Sequence, residues 1–273
     1  MQGIKEFIPT EKKATYINKL LKANFDTIDF GSFVSPKAIP QMRDTAEVLA
    51  RLDLSVSRSR LLAIVANRRG AIDAVQFDEI TYLGYPFSIS ETFQLRNTNA
   101  TIEESMGRVE QIQDICMAHG KQLVVYISMG FGNPYGDPWN VEIVQRWVNR
   151  LASMGVSILQ LSDTIGVASP ESISYLFGNL IPDFPDVELG AHFHTVPHKW
   201  KEKVAAAFEN GCRRFDGALK GYGGCPMAKD DLTGNMPTEN MLYYFMDEGI
   251  ETGVDMEAFH EAMALAASVF PKP

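Results

Sequence analysis

The chain alternates between two hydrophobic periodicities along most of its length. Segments with apolar residues three or four positions apart predict amphipathic helices, and short continuous apolar runs between them predict buried strands. In the clearest repeats the helix is followed by Asn24, Gly155 or Gly211, which are residue types expected just after a helix C-terminus. The predicted strands are 27–30, 61–66, 75–82, 122–127, 158–161, 187–193 and 213–216, and the predicted helices are 16–23, 101–119, 144–154, 170–180, 204–210 and 238–247.

Strands that alternate with helices favour a parallel sheet with right-handed crossovers. The pattern predicts seven strands and begins with a helix, whereas a closed TIM barrel has eight strands. Two architectures therefore stay open: an open doubly wound α/β sheet, or an α/β TIM (β/α)8 barrel whose first strand is missing from this chain. No linker or low-complexity run marks a boundary, so we expect residues 1–273 to form a single domain with a lid loop around 220–235.

Composition narrows the classes of function. The chain has 273 residues, of which 45% are hydrophobic, enough for one large core. Its net charge of -9 argues against nucleic-acid or acidic-membrane binding, and no apolar run approaches the roughly 20 residues of a membrane span. The three widely spaced cysteines give no disulfide framework, which favours a reducing, cytoplasmic location. Neither glycine-rich nucleotide fingerprint is present.

Residues able to carry chemistry are concentrated near the C-terminal end. His192 and His194 alternate within a predicted strand, so both point to one face and form a ready pair of metal ligands. Asn235 adds an oxygen ligand, and Cys225 lies on a glycine-rich loop that is able to act as a lid. The plainer alternatives are two hydrogen-bonded structural histidines, a simple glycine turn and a buried cysteine.

Two aspartates also end predicted strands. Asp29 and Asp163 are placed where parallel barrels carry their chemistry, at the C-terminal ends of strands. Asp163 has a plainer interpretation too, as a turn residue that caps the next helix. The other histidines on helices, His119 and His260, are expected at the surface, and the remaining cysteines are expected to be small buried hydrophobes.

With these motifs in view, the chain resembles the 3-hydroxy-3-methylglutaryl-CoA (HMG-CoA) lyase family of the DRE-TIM metallolyase group. The resemblance covers nearly the whole chain. Its motifs are Ser-Phe-Val-Ser-Pro-Lys at 32–37, Pro-Gln-Met at 40–42, Asp-Thr-Ile-Gly at 163–166, the His-x-His pair, Gly-Gly-Cys-Pro at 223–226 and Gly-Asn at 234–235 followed by Thr-Glu at 238–239.

The resemblance implies a TIM barrel that uses a divalent metal ion, Mg or Mn, with Zn also possible. The reaction would split HMG-CoA into acetoacetate and acetyl-CoA, usually in leucine degradation, and the enzyme would be a homodimer. The implied metal ligands are His192, His194 and Asn235; the implied catalytic residues are Cys225, Asp163, His192 and Asp29; and the implied substrate-binding residues are Ser32, Gln2, Lys5, Gly223 and Gly224.

Departures from the family pattern leave the acyl substrate open. The family's first strand ends in Arg-Asp upstream of the position of Met1, and we expect this chain, which lacks that pair, to have little activity without it. Asp29 stands where a glutamate is usual, and Thr195 where an aspartate is usual, while Lys220 and Tyr222 flank the lid cysteine. The alternatives are another DRE-TIM aldolase or acyltransferase acting on a 2-oxo acid, or an impaired barrel with a binding role.

Overall fold

Seven parallel strands form one sheet in the part of the chain that the structure describes. The computed structural model describes Met1, Ile4, residues 6–223 and residues 234–270. Neighbouring strands follow chain order, and every pair is parallel. The strands are β1 Thr27–Ser32, β2 Arg60–Ile64, β3 Ile80–Ser88, β4 Gln122–Ser128, β5 Ile158–Asp163, β6 Glu188–Phe193 and β7 Arg214–Asp216.

Helices connect successive strands, as right-handed crossovers require. Their packing is helped by local caps, such as the reciprocal Thr101–Glu104 capping box at the start of the longest helix. The helices are α1 Thr10–Lys22, α2 Thr45–Leu49, α3 Arg68–Ala74, α4 Glu91–Thr98, α5 Ile102–Ala118, α6 Val141–Ser153, α7 Pro170–Asp183, α8 Trp200–Glu209, α9 Thr238–Asp247 and α10 Met256–Val269.

The two faces of the sheet bury different sets of side chains. One set, which includes Leu61 and Leu83, belongs to the large core shared with the helices. The alternating set belongs to a separate small cluster of Leu62, Tyr82 and Val124 with Ile158. Side chains of one strand thus divide between an outer helical layer and an inner face. This curled sheet is a TIM-barrel-like α/β fold, which confirms the predicted fold class, and its seven strands agree with a barrel that lacks one.

One predicted strand boundary is wrong. The sequence pattern predicted a strand over 75–82, but Val75 ends α3 and β3 begins at Ile80. The start of α3 is fixed by Asn67, whose side chain accepts a hydrogen bond from the Gly70 amide at 3.0 Å. The first residues of the predicted strand therefore form the C-cap of α3 and the turn that leads into β3.

The last helix, which the sequence predicts around His260 without fixing its bounds, covers the outside of α1. Tyr16 of α1 meets Phe270 edge to face at 5.4 Å between ring centroids, and Phe25 meets Phe259 at 6.1 Å. Leu219 and Leu242 join the same buried cluster. The C-terminal segment thereby supports both α1 and the turn that precedes the predicted lid.

Further expectations concern buried thiols, surface histidines and membranes. Cys116 and Cys212 are fully buried, as predicted. His119, the residue after α5, and His260, in α10, are both exposed, as predicted. Within the described ranges, no helix has both the length and the apolar character needed to cross a membrane.

Candidate active site

The two histidines of the His-x-His motif lie together at the end of β6. His192 is within the strand, and His194 follows it and forms an isolated antiparallel bridge with Asn235. The two imidazole rings are 5.5 Å apart between centroids and inclined at 60°. The structure therefore places next to one another the three residues that the resemblance identifies as metal ligands.

Asn235 is held by the turn that precedes the predicted lid. Its Nδ2 donates to the Tyr222 carbonyl at 2.8 Å, and its backbone N–H donates to the Gly221 carbonyl at 3.2 Å. Because the amide nitrogen is engaged, Oδ1 is the side-chain atom suited to a cation. Gly223 has φ +94°, and a Cβ there would lie 2.9 Å from Asn235 Nδ2. Glycine at 223 thus permits the close approach that orients this ligand.

Asp216, which sequence analysis did not single out, orients His192. The two residues are register partners on β7 and β6, and His192 Nδ1 lies 3.2 Å from Asp216 Oδ2. An ionised carboxylate only accepts, so Nδ1 carries the proton and Nε2 is left as the donor for a metal. Gln160 donates to the other carboxylate oxygen at 2.8 Å. This is the carboxylate–histidine arrangement common at metal sites.

Asp29 lies on the inner face of the curled sheet. Its neighbour Ile28 packs into the helical core, so alternation directs Asp29 to the opposite face. Water reaches this side chain, which is exposed, yet the surrounding protein raises its carboxyl pKa to about 7. The largest cause is desolvation, which raises the pKa, and the N-terminal ammonium of Met1 opposes it most; the charge of Asp216 raises the pKa further, and His192 lowers it. Asp29 is thus an accessible carboxyl that shares an electrostatic environment with the histidine pair.

A divalent ion at this site needs nitrogen or oxygen donors that converge on one point. No group of three or more His, Cys, Asp or Glu side chains in the described ranges is arranged to hold a metal. The donor set is two imidazoles and one amide oxygen, all neutral, with Asp216 bound to His192 from behind. Nitrogen and oxygen donors suit Mn²⁺ or Zn²⁺, and hard Mg²⁺ prefers more oxygen. The residues fit part of a divalent-metal site.

Replacing Asp216 with asparagine is expected to weaken Mn²⁺ binding about 10- to 100-fold, the usual cost of losing an outer partner of a ligating histidine. The amide is neutral and no longer fixes the tautomer of His192 through a charged acceptor. Mn²⁺ titration of the metal-free protein, followed by electron paramagnetic resonance (EPR), measures the change. The matched control is Asp186→Asn, an exposed aspartate before β6. Equal affinities of the two variants would contradict the assigned role of Asp216.

The carboxylate of Asp163 is buried and bound on both oxygens, unlike that of an exposed catalytic acid. Its side chain is fully buried, and Oδ2 lies 2.6 Å from the ammonium of Lys203. The backbone N–H groups of Val167 and Ala168 donate to its two oxygens at 2.8 and 3.1 Å. Burial raises the pKa of this carboxyl, and Lys203 with the two amides opposes the rise. The cap of α7 is Ser169, so Asp163 organises the loop before the helix rather than the helix itself.

The remaining predicted substrate residues divide into two groups. Ser32 is buried at the end of β1, where its hydroxyl donates to the Ile64 carbonyl at 3.2 Å and accepts from the Val34 amide at 3.3 Å. Its hydroxyl is thus engaged with backbone groups. The other predicted residues Gln2, Lys5, Gly224 and Cys225 lie outside the described residues.

The unusual residues before the lid have structural partners. Tyr222 stacks on Phe270 at 4.9 Å between ring centroids, which fixes the carbonyl that holds Asn235. Lys220 adopts a left-handed conformation at φ +58°, and its backbone N–H donates to Glu239 at 3.0 Å. Thr195 is buried, and its hydroxyl donates to the Val196 carbonyl at 3.0 Å. These positions therefore shape the backbone around the proposed ligands.

Comparison with known proteins gives one consistent family. A family model described as HMGL-like matches residues 1–266. The cytoplasmic 3-hydroxy-3-methylglutaryl-CoA lyase of Rattus norvegicus is 34% identical over 266 residues, which cover 96% of this chain and 76% of that protein. The hydroxymethylglutaryl-CoA lyase of Bacillus subtilis is 32% identical over 273 residues, covering 100% and 90%.

Solved structures agree with this comparison. Hydroxymethylglutaryl-CoA lyase from Pseudomonas aeruginosa superposes with a TM-score of 0.91 at 31% identity, covering 100% of this chain and 90% of that chain. An HMG-CoA lyase from Acinetobacter baumannii, in complex with coenzyme A and 3-methylmalate, gives a TM-score of 0.90 at 30% identity and covers 98% and 87%.

Proposed function

The chain belongs to the HMGL-like family, and from that premise we propose that it cleaves HMG-CoA into acetoacetate and acetyl-CoA with a divalent cation. It is a carbon–carbon lyase of the oxo-acid-lyase type. The observation that carries the finer proposal is the convergence of His192, His194 and Asn235, with Asp216 behind His192. That arrangement supports a metal at the C-terminal end of the sheet, where barrels of this type carry their chemistry.

An acyl-CoA thioester is the proposed substrate class. The relatives at 32–34% identity are named for HMG-CoA, and one similar structure contains coenzyme A. We propose Mg or Mn as the ion because the family resemblance implies them and the Asn235 amide offers oxygen, with Zn as the alternative that two imidazoles allow.

The proposed reaction breaks a C–C bond beside a tertiary alcohol. A cation held by His192, His194 and Asn235 would supply Lewis-acid stabilisation of the oxygen charge that develops as the bond breaks. Asp29 is the proposed acceptor of the hydroxyl proton, because it is the accessible carboxyl on the inner face, whereas both oxygens of Asp163 are engaged. The hydroxyl oxygen becomes the ketone of acetoacetate, and the bonding electrons pass to the acetyl-CoA enolate.

Cys225 is the proposed donor of the proton that converts the enolate into acetyl-CoA. The proposal rests on the family resemblance of the Gly-Gly-Cys-Pro run, since residue 225 lies outside the described residues. A lid that excludes water would prevent loss of the enolate to solvent protons. A cysteine thiol suits this step because it is acidic enough to donate its proton to the enolate carbon. The thiolate that remains takes up a proton again before the next turnover.

Replacing Cys225 with serine is expected to lower turnover about 100- to 10,000-fold, the usual range for a general acid or base. A hydroxyl is a far weaker acid than a thiol, whereas the proposed metal ligands are untouched. Steady-state acetoacetate release gives the turnover, and Mn²⁺ titration gives the affinity. Cys116→Ser is not a suitable control because that thiol is buried in the core; Ser268→Ala, in the exposed C-terminal helix, is preferable. Unchanged turnover in Cys225→Ser would contradict the assignment.

The proposed function is tested by acetoacetate release from HMG-CoA, with Mn²⁺ or Mg²⁺ and after chelation, in this chain and in a form that also carries the family's Arg-Asp pair upstream of Met1. Metal-dependent release supports the lyase, and Asp29→Asn should abolish it while leaving Mn²⁺ binding measurable. Acetyl-CoA consumption that requires a 2-oxo acid would instead indicate a related acyltransferase or aldolase. Metal binding without either reaction would point to a different acyl substrate, and no metal binding would favour a binding role.

We also propose a homodimer in the cytoplasm. The name of the rat relative places that protein in the cytoplasm, whereas a bovine relative at 31% identity is named as mitochondrial. Light scattering of the purified chain measures the oligomeric state directly.

A further inference from the structure

Lys203 is a fully buried lysine beside the proposed metal centre, and it has no role in the proposed reaction. It lies on α8, and its ammonium is 2.6 Å from Asp163 Oδ2. The same ammonium is 3.0 Å from the Gly166 carbonyl and 3.0 Å from the His194 carbonyl. A lysine ammonium has three donors, so each donor here has an acceptor.

The cost of burying this charge indicates a purpose other than stability. A buried ion pair loses its hydration, and replacing such a pair with apolar side chains of similar volume is often neutral or stabilising. Lys203 and Asp163 are about 1% exposed or less, and Val204 and Ala207 of the same helix α8 are buried apolar residues. Apolar residues at 163 and 203 would fill the space, but they would form no bond to the His194 carbonyl.

The backbone around His194 is fixed from three sides. Its N–H donates to the Asp163 carbonyl at 3.3 Å, and its carbonyl accepts from Lys203. The next residue, Thr195, donates its N–H to the Gly234 carbonyl at 3.0 Å. The end of β5, helix α8 and the segment that carries Asn235 therefore meet at this one residue.

We propose that Lys203 is a positioning residue that fixes the main chain of His194, with Asp163 as its counter-charge, so that the His194 ring meets His192 and Asn235 at the metal centre. The inference rests on the proposed function for the presence of the metal. Asp163 then acts through Lys203 and His194 instead of accepting the substrate proton.

The test compares Lys203→Met, Asp163→Asn and the double variant Asp163→Asn/Lys203→Met. Each single change leaves one buried charge without its partner, so both should lower the thermal midpoint clearly. The double variant removes both charges and should recover most of that loss. Its Mn²⁺ affinity, measured by EPR on metal-free protein, should nevertheless stay about 10- to 100-fold below wild type, because the bond to the His194 carbonyl is gone.

A control separates affinity from general loss of stability. Ile112→Ala creates a cavity in α5, in the helical layer, and should lower the thermal midpoint with wild-type Mn²⁺ affinity. Turnover at saturating Mn²⁺ provides a second readout. A positioning role predicts that the double variant regains turnover to within about tenfold of wild type, since ligand placement recovers when the metal is bound.

The outcomes of these measurements separate failure of the positioning role of Lys203 from failure of the proposed function. Wild-type Mn²⁺ affinity in the double variant would overturn the positioning role and leave the proposed function intact. A large turnover loss that persists at saturating Mn²⁺ would also overturn it, because it would make Asp163 the proton acceptor. Failure of the wild-type chain to bind Mn²⁺ would refute the metal of the proposed function, and the positioning role with it.

Discussion

Replacing His194 with alanine is expected to weaken Mn²⁺ binding by more than about 100-fold and to lower turnover by about a thousandfold. The loss of affinity should exceed that of an outer-partner variant because a ligand itself is removed. The loss of turnover corresponds to about 4 kcal/mol of transition-state stabilisation, the order of magnitude expected from a Lewis acid. His194 is buried and adjoins both His192 and Asn235, so its removal takes away one of the three proposed ligands.

The measurements are Mn²⁺ titration by EPR and acetoacetate release at several metal concentrations. The matched control is His198→Ala, an exposed histidine in the loop after β6, which should retain both properties. If His194→Ala kept wild-type affinity, the pair would be a structural one, as the plainer interpretation of the sequence holds. If it lost affinity but regained full turnover at high Mn²⁺, His194 would bind the metal without affecting the bond-breaking step.

The second large effect concerns stability: Lys13→Met is expected to lower the free energy of unfolding by about 3–5 kcal/mol. Lys13 of α1 is almost fully buried, and its ammonium lies 2.6 Å from Asp44 Oδ1 and also donates to the Gln41 carbonyl. Methionine keeps the volume but leaves the Asp44 carboxylate buried without its cation. Thr10 donates to the other Asp44 oxygen at 2.8 Å, which is too little to compensate a charge.

Lys13, Asp44 and Gln41 form one cluster, and Gln41 also holds the segment that leads into α1. Loss of Lys13 should therefore weaken more than a single hydrogen bond. The side chain of Gln41 donates to the Ile4 and Glu6 carbonyls at 3.1 and 2.7 Å and accepts from the Ile8 amide at 2.9 Å. Urea unfolding followed by circular dichroism gives the free energy of unfolding, and a chain of this size should lose about 6–20 °C in thermal midpoint.

A comparison with an exposed ion pair on the same helix tests the burial argument. Lys19 lies 2.5 Å from Glu261, but the two side chains are 37% and 53% exposed. Lys19→Met should therefore cost about 0–1 kcal/mol. The double variant Lys13→Met/Asp44→Asn should recover much of the stability lost in Lys13→Met. Equal costs for Lys13→Met and Lys19→Met would show that burial of the pair does not determine its contribution.

Local periodicity accounts for the elements that were predicted correctly. The strand at 122–127 and the helix at 238–247 each show their pattern within about ten residues, and both lie where predicted. The error at Val75 arose because scattered apolar residues in the turn between α3 and β3 resemble the start of a strand. Helix α10 was expected only as a helix around His260, and its docking on α1, which joins opposite ends of the chain, did not follow from local spacing.

The candidate site shows the same division between local and long-range information. That His192 and His194 lie together follows from strand alternation, a property of three consecutive residues. Neither the bond of His192 to Asp216, 24 positions away, nor that of Asp163 to Lys203, 40 positions away, follows from any local spacing. Both depend on which strand lies beside which, and in what register.

The sequence by itself thus determined an α/β chain of alternating strands and helices and a histidine pair at a strand end, because periodicity and side-chain chemistry are local properties. Only the tertiary structure decided which partners the charged residues Asp216, Asp163 and Lys203 have. Parallel register places Asp216 against His192. The packing of α8 on the sheet buries Lys203 against Asp163, because a lysine in that position has no water and must find a carboxylate.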